Sequence, residues 1–314
     1  MRSVRRQLAA ALACAASLVV GGGSARAQEG KQMTVAVYLP GLPLGSAEAR
    51  NRFANDIAAA MQRAVGGKVI GRSYANLGDL EKELGETAFV VTDAAVAVMM
   101  KVKPIAIAQS GGGSTTQFAL YALKDANVTQ LDGKRLAHPK FGRAVGGIVD
   151  WLLFEGEVAT SQIKKVPVPD VLSGVQMLKL DKADFLLGYA SSYDQLRAQA
   201  PELKLIFRSG RVPNMVLAVG GAPGAGDLAG KAQAALASFS APQADVAGFR
   251  GASGGELESL RRSLGARPKR TPLFAEPALP WRGGRVNIPP VPSPQPPVEG
   301  YVVAPTGQAP LIPR

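Results

Sequence analysis

The chain predicts an α/β body followed by a separate tail, and three observations carry that prediction. From residue 34 to residue 264, short runs rich in Val, Ile and Ala alternate with segments of helical spacing, the grammar of strand–helix units around a largely parallel sheet. The 314 residues suffice for one large or two medium domains with buried cores. Thirteen of the 23 prolines lie from Pro268 onwards, which sets a folded body apart from the C-terminal stretch.

Taken in order, residues 34–39 (TVAVYL) read as a buried strand stopped by Pro40-Gly41. Residues 47–64 carry Phe53, Ile57, Ala60, Met61 and Ala64 at helical spacing. A strand near 68–74, a helix near 77–84 and a short strand at 88–91 follow. An apolar helix at 94–102 precedes a strand at 104–108. The pattern then repeats: strands at 117–123 and 135–137, then a helix at 144–154 with Ile148, Trp151, Leu152 and Phe154 on its apolar side. Next come a strand at 165–168, a helix at 171–180, a strand at 184–188, a helix at 193–199 and a strand at 203–207. After Pro213-Asn214 the run 215–219 is strongly apolar, and helices follow near 228–239 and 256–264. Residues 265–314 are too proline-rich for a helix or a central strand and read as a disordered, extended tail. Its PSPQPP stretch at 292–297 suits a spacer or a docking peptide.

The first 27 residues have the form of a secretory signal. Arg2, Arg5 and Arg6 precede a short apolar stretch from Leu8 to Val20, and Ala25-Arg26-Ala27 supplies an A-x-A cleavage site before Gln28. Gly21 to Gly23 cut the apolar run below the roughly 20 residues a membrane span needs. Twin-arginine export through Arg5-Arg6 and lipidation at Cys14 fit the flanking residues less well than simple export to the periplasm. Cys14 is the only cysteine, so cleavage leaves a chain without disulfide, thiolate ligand or cysteine nucleophile. The net charge of +12 falls to +8 without the signal's four arginines, and about half of the remainder lies in the tail. That leaves a mild bias on the body, not a nucleic-acid groove.

Motifs of catalysis and cofactor binding fail on their surroundings. GASGG at 251–255 matches G-x-S-x-G, but a nucleophile elbow needs a preceding strand and a later histidine, and neither is expected here. GDLAGK at 226–231 misses the spacing of a P-loop and its Ser or Thr. One histidine is a poor start for zinc. Carboxylate pairs such as Glu155/Glu157 and Asp181/Asp184 suit solvated or strand-edge positions. The reading is therefore a protein with no enzymatic activity, no cofactor and no metal.

The order of the pieces resembles a type II periplasmic solute-binding protein, most closely the phosphate/phosphonate-binding branch of ABC transporter receptors. The likeness runs from about residue 32 to 240 and rests on several stretches: the opening strand and Pro-Gly turn, the strand end VTDA at 91–94, QLDGKRLAHPKFG, DVLSGVQMLKLDKADFLLGYASSY, and LKLIFRSGRVPNMVLAV. The resemblance implies a two-lobed α/β fold with two interlobe crossings. Lobe 1 would take residues 28–112 and 213–264, and lobe 2 residues 113–212. Ligand binding between lobes favours closure, and strand ends and helix N-termini face the cleft.

On that geometry the candidate ligand-binding residues are Ser46, Thr92, Asp93, Ser110, His138, Gly142, Arg143, Tyr189 and Ser191, with Pro43, Leu44 and Gln109 nearby. Relatives carry a Ser/Thr-rich run where this chain has His138-Pro139-Lys140-Phe141-Gly142-Arg143. The hydroxyls are gone, Pro139 lacks an N–H and Phe141 is bulky. Arg143 reads equally as a fork for an anion or as an exposed loop residue. His138 suits strand-end packing better than ligation. Tyr189 can stack or donate a hydrogen bond. The implied function is binding of a small anion, phosphate, phosphonate or similar, for an ABC transporter permease. The alternative is an envelope scaffold that has lost the ligand and acts through protein contacts, its tail reaching an envelope protein, cell wall or anionic lipid through Arg267, Lys269, Arg270, Arg282 and Arg285.

Overall fold

The structure is a computed structural model that describes residues 32–125, 128, 131, 133–155 and 160–265. The signal segment, Cys14, Glu157 and the tail with its basic residues lie outside the described residues.

Two mixed sheets organise the body. The first contains β1 (Met33–Tyr38), β2 (Val69–Ser73), β3 (Phe89–Thr92), β4 (Lys103–Ala108), β10 (Val216–Val219) and β11 (Phe249–Gly251), in the order β11-β4-β10-β3-β1-β2. The second contains β5 (Thr115–Ala122), β6 (Arg135–Pro139), β7 (Lys164–Val168), β8 (Phe185–Tyr189) and β9 (Lys204–Pro213), in the order β7-β6-β8-β5-β9. Neither sheet is largely parallel. The returning strand β10 slots antiparallel between β3 and β4, and β5 runs antiparallel to both β8 and β9. Parallel pairs are confined to β1 with β2 and β3, and to β6 with β7 and β8. The direction in which a returning strand pairs is not revealed by the local alternation of helix and strand.

Helix ends follow local chemistry. In α1 (Ala47–Val65) the Ser46 side chain accepts the Ala49 N–H at 3.2 Å, and Gly66 closes the other end at φ 74°. Asn76 caps α2 (Leu77–Glu83), and α3 (Ala94–Met100) follows Asp93 with no side-chain cap. The helix expected over 144–154 divides into α4 (Ala144–Gly147) and a π-helical turn at Ile148–Leu153. The Gly146-Gly147 pair weakens the α-helical register there, while Ile148, Val149, Leu152 and Leu153 are all buried. Asp170 caps α5 (Val171–Lys179) through the Ser173 N–H at 2.8 Å, and α6 (Tyr193–Gln199), α7 (Ala229–Leu236) and α8 (Gly254–Gly265) complete the set.

Strand β9 runs six residues beyond the expected 203–207 because it pairs with the whole length of β5 across two register irregularities. Strand β11 was not expected at all. It is three residues long and pairs with β4, so its only signal is a neighbour remote in sequence.

One apolar core packs α1 and α7 against the first sheet, and another packs α5 against the second. A third is continuous between the lobes: it joins Tyr38 and Val90 of the first sheet, Phe118 and Tyr189 of the second, Phe141 of the loop after β6, the apolar face of α3, the π-helical turn, and Leu257 and Leu260 of α8. The two crossings, residues 109–114 and 214–215, are bonded to each other: the Asn214 N–H donates to Ser114 O at 3.0 Å, and its amide reaches Ala108 O and Gly113 O, each at 3.2 Å.

Candidate functional site

The strand ends of both sheets meet at a closed seam. Backbone groups join it directly, with the Val171 N–H donating to Pro40 O at 3.2 Å. Side chains add three ties: Arg50 with Asp170 at 3.3 Å, Gln195 Nε2 to Pro43 O at 2.7 Å, and the Tyr38 hydroxyl to Lys140 O. A fourth is buried: the Tyr189 hydroxyl, at the end of β8, donates to Asp93 Oδ1, at the end of β3, at 2.7 Å.

Aromatic rings fill the middle of this seam. Phe118 stacks on Tyr189 with centroids 5.0 Å apart, and Phe141 meets both edge-on. Gly41, just after β1, lets these rings approach; a Cβ there would lie 2.6 Å from Tyr189 Cε2 and 3.0 Å from Phe141 Cζ. Phe141 is wholly buried at the centre of this aromatic group, and two separate spaces lie along the seam.

The inner space is a cavity of about 20 Å³ beside the crossings, lined by Asp93, Ser110, Thr116, Tyr189, Ser191 and Asn214 among others. Asp93 Oδ2 and Thr116 Oγ1 are buried and have no hydrogen-bond partner. Burial raises the Asp93 carboxyl to about 7, opposed by the Tyr189 hydrogen bond and the Gly41 N–H. Burial and the facing Asp93 raise the Tyr189 phenol well above its usual range.

The outer space is an open groove of about 350 Å³ between the start of α2 (Asn76, Leu77, Gly78, Glu81) and the β6–α4 loop (His138, Lys140, Gly142, Arg143). Gly142 has φ 60° and Leu77 Cδ2 lies where its Cβ would be, 2.3 Å away, so only glycine fits without movement. His138 is buried with Nδ1 2.9 Å from Pro139 O; burial lowers its pKa, so the ring is neutral near pH 7. The cationic ends of Lys140 and Arg143 have no ion-pair partner among the described residues.

The nine sequence candidates thus separate. Asp93, Ser110, Tyr189 and Ser191 line the inner cavity, and His138, Gly142 and Arg143 line the outer groove. Thr92 lies in neither; its hydroxyl donates to Tyr38 O at 2.8 Å and ties β3 to β1. Ser46 caps α1 near Pro43. Sequence reasoning did not name Thr116, Asn214, Tyr38 or Gly41 as site residues, although the last three lie in stretches that carry the resemblance, because they meet only in the fold; it judged Phe141 an obstacle where the fold makes it the central packing ring.

The G-x-S-x-G stretch needs one correction. A strand, β11, does precede Ser253, contrary to the sequence expectation. The serine nevertheless behaves as a helix cap: its N–H and hydroxyl donate to Glu256 Oε2 at 3.2 and 2.9 Å, and Glu256 also accepts from Arg250. The chain's one histidine, His138, lies in the outer groove.

No family model matches the chain, and no curated protein matches it in sequence. Solved structures do match. PhnD1 from Prochlorococcus marinus, in complex with methylphosphonate, superposes with a TM-score of 0.59 at 10% identity, covering 74% of this chain and 97% of that one. A binding-protein component of an ABC phosphonate transporter from Pseudomonas aeruginosa gives 0.58 at 12% identity, covering 74% and 85%. A Xanthomonas citri protein bound to ATP gives 0.55 at 15%, covering 74% and 96%. The fold is therefore the two-lobed fold of type II periplasmic binding proteins.

Proposed function

We propose that the protein is an exported, non-catalytic solute-binding protein that holds a small oxyanion in the outer groove and passes it to an ABC transporter permease. The observation that carries this reading is the pair of unpartnered cations, Lys140 and Arg143, on a groove that both lobes line. Arg143 presents a planar fork suited to phosphate or phosphonate, and Lys140 adds a point charge. Gly142 lets the loop that carries both cations pack against Leu77. Binding there, between α2 of one lobe and the β6–α4 loop of the other, would favour the closed seam. Structural neighbours that include phosphonate receptors support the class of protein; the choice of anion follows from the two cations of the groove.

The test is thermal unfolding of the exported protein against phosphate, methylphosphonate, sulfate, carboxylates and nucleotides. An anion at 100 times its Kd should stabilise by about 2.7 kcal/mol. Arg143→Ala should remove that shift. If no anion moves the transition, the oxyanion reading fails, and the aromatic filling of the seam then favours a scaffold that works through protein contacts.

A further inference from the structure

The inner cavity is separate from the oxyanion groove, and its chemistry is opposite. Both unpartnered buried polar atoms of the described residues, Asp93 Oδ2 and Thr116 Oγ1, belong to residues that line it. Leaving two such atoms unsatisfied is costly, and native structures rarely do so without a water or an ion. The remaining lining is rich in oxygen. Ser110 spends its proton on Gly113 O, which leaves its lone pairs free. Asn214 spends its NH2 on Ala108 O and Gly113 O, which leaves its amide oxygen free. Ser191 adds a hydroxyl, and no Lys, Arg or His lines the space.

We propose that this cavity is a binding site for one monovalent inorganic cation of about the size of a water molecule, Na⁺, K⁺ or NH₄⁺. Asp93 Oδ2 supplies the charge, and the hydroxyls of Thr116, Ser110 and Ser191 with the Asn214 amide supply neutral oxygens. The volume of about 20 Å³ holds roughly one water and excludes larger organic ammonium ions. Charge argues against a divalent ion. Asp93 is the one buried carboxylate of the lining, Asp245 on the rim is exposed, and a calcium site takes 6–8 oxygens, often from several carboxylates. The cation would touch both lobes and both crossings at once: Asp93 at the end of β3, Thr116 and Ser191 in lobe 2, Ser110 and Asn214 in the two connections. It would act as an ionic pin for the closed seam.

Asp93 faces Tyr189, whose hydroxyl it accepts, and lies close to Tyr38, and Asp245 is the other charged group of the lining.

The experiment is thermal unfolding of the exported protein at pH 8, titrated with NaCl, KCl or NH₄Cl against choline chloride at constant ionic strength. One small cation should raise Tm saturably over choline, by roughly 5–10 °C where 100 mM is about 100 times Kd. The rise should vanish in Asp93→Asn, and should weaken at least tenfold in midpoint concentration in Thr116→Val, which keeps the shape of the site. Thallium(I) soaked into crystals should give an anomalous peak within 3.5 Å of Asp93 Oδ2. Superimposable curves for all four salts at pH 8 would overturn the proposal and leave a bound water. So would a shift produced only by Mg²⁺ or Ca²⁺, or a full response in Asp93→Asn. None of these outcomes depends on whether an oxyanion binds the outer groove.

Discussion

The inner cavity and the outer groove both lie along the seam, yet they are built on opposite principles. The inner space is small and acidic, with a carboxylate oxygen that lacks a donor. The outer space is open and cationic, with Lys140 and Arg143 solvated and unpaired. The difference teaches where a ligand's charge can be read in this fold. A buried group with no partner perturbs stability whether or not anything binds, whereas an exposed unpaired cation affects little until an anion arrives.

Removing the central ring of the seam has the largest expected effect. Phe141→Ala should destabilise the protein by about 3–5 kcal/mol in denaturant unfolding, since a wholly buried ring that contacts two others is lost. A cost below about 1 kcal/mol would mean that the aromatic group does not hold the seam.

The acidic side is sharpened by pH. Folded Asp93 titrates near 7, whereas a carboxyl in the unfolded chain titrates near 4. Between those values the folded state keeps a proton that the unfolded state has lost, so this group lowers stability as pH rises and levels off above about 7. In choline buffer, Asp93→Asn should therefore match the wild type at pH 4 and exceed it at pH 8, by about 1.4 kcal/mol per pH unit across the window. Parallel stability curves for the two proteins would contradict the burial of an unpaired charge.

Next in size is Gly142→Ala, which should cost about 1–2 kcal/mol for its left-handed backbone. Adding Leu77→Ala should recover only the part due to crowding, and a double-mutant cycle in urea measures that share. Arg143→Ala comes last. It should change stability by less than about 0.5 kcal/mol while abolishing any anion-induced shift in Tm. A large loss of stability from this exposed arginine would assign it to packing and not to recognition.

What the sequence disclosed depends on whether the cause is local. Helix α1 was legible because Ser46, its apolar stripe and Gly66 all act within a few residues. The split of the helix at 144–154 was half-legible: Gly146-Gly147 stood in plain sight, but the burial of the turn beyond them comes from α8 and β9, far along the chain. Strand β11 and the reversal at β10 were hidden, because strand order is decided by partners that no periodicity encodes. The candidate site divides in the same way. Arg143 and Gly142 could be found from a loop that resembles a ligand loop. Asp93 could be placed at a strand end, but its missing donor, and the Thr116 hydroxyl in the same cavity, exist only once the seam has closed.

Strand order also sets a timetable. All five strands of the second sheet lie in one stretch, from Thr115 to Pro213, and that sheet is complete before the chain turns back. The first sheet is begun earlier and finished later. Strands β3 and β4 are not neighbours in it, since β10 lies between them and arrives more than a hundred residues after. A nascent chain emerging N-terminus first would hold a finished lobe and, beside it, an open slot with two facing strand edges. Such edges are the sites at which chains pair wrongly with one another. The strand made almost last is the one that seals the part made first.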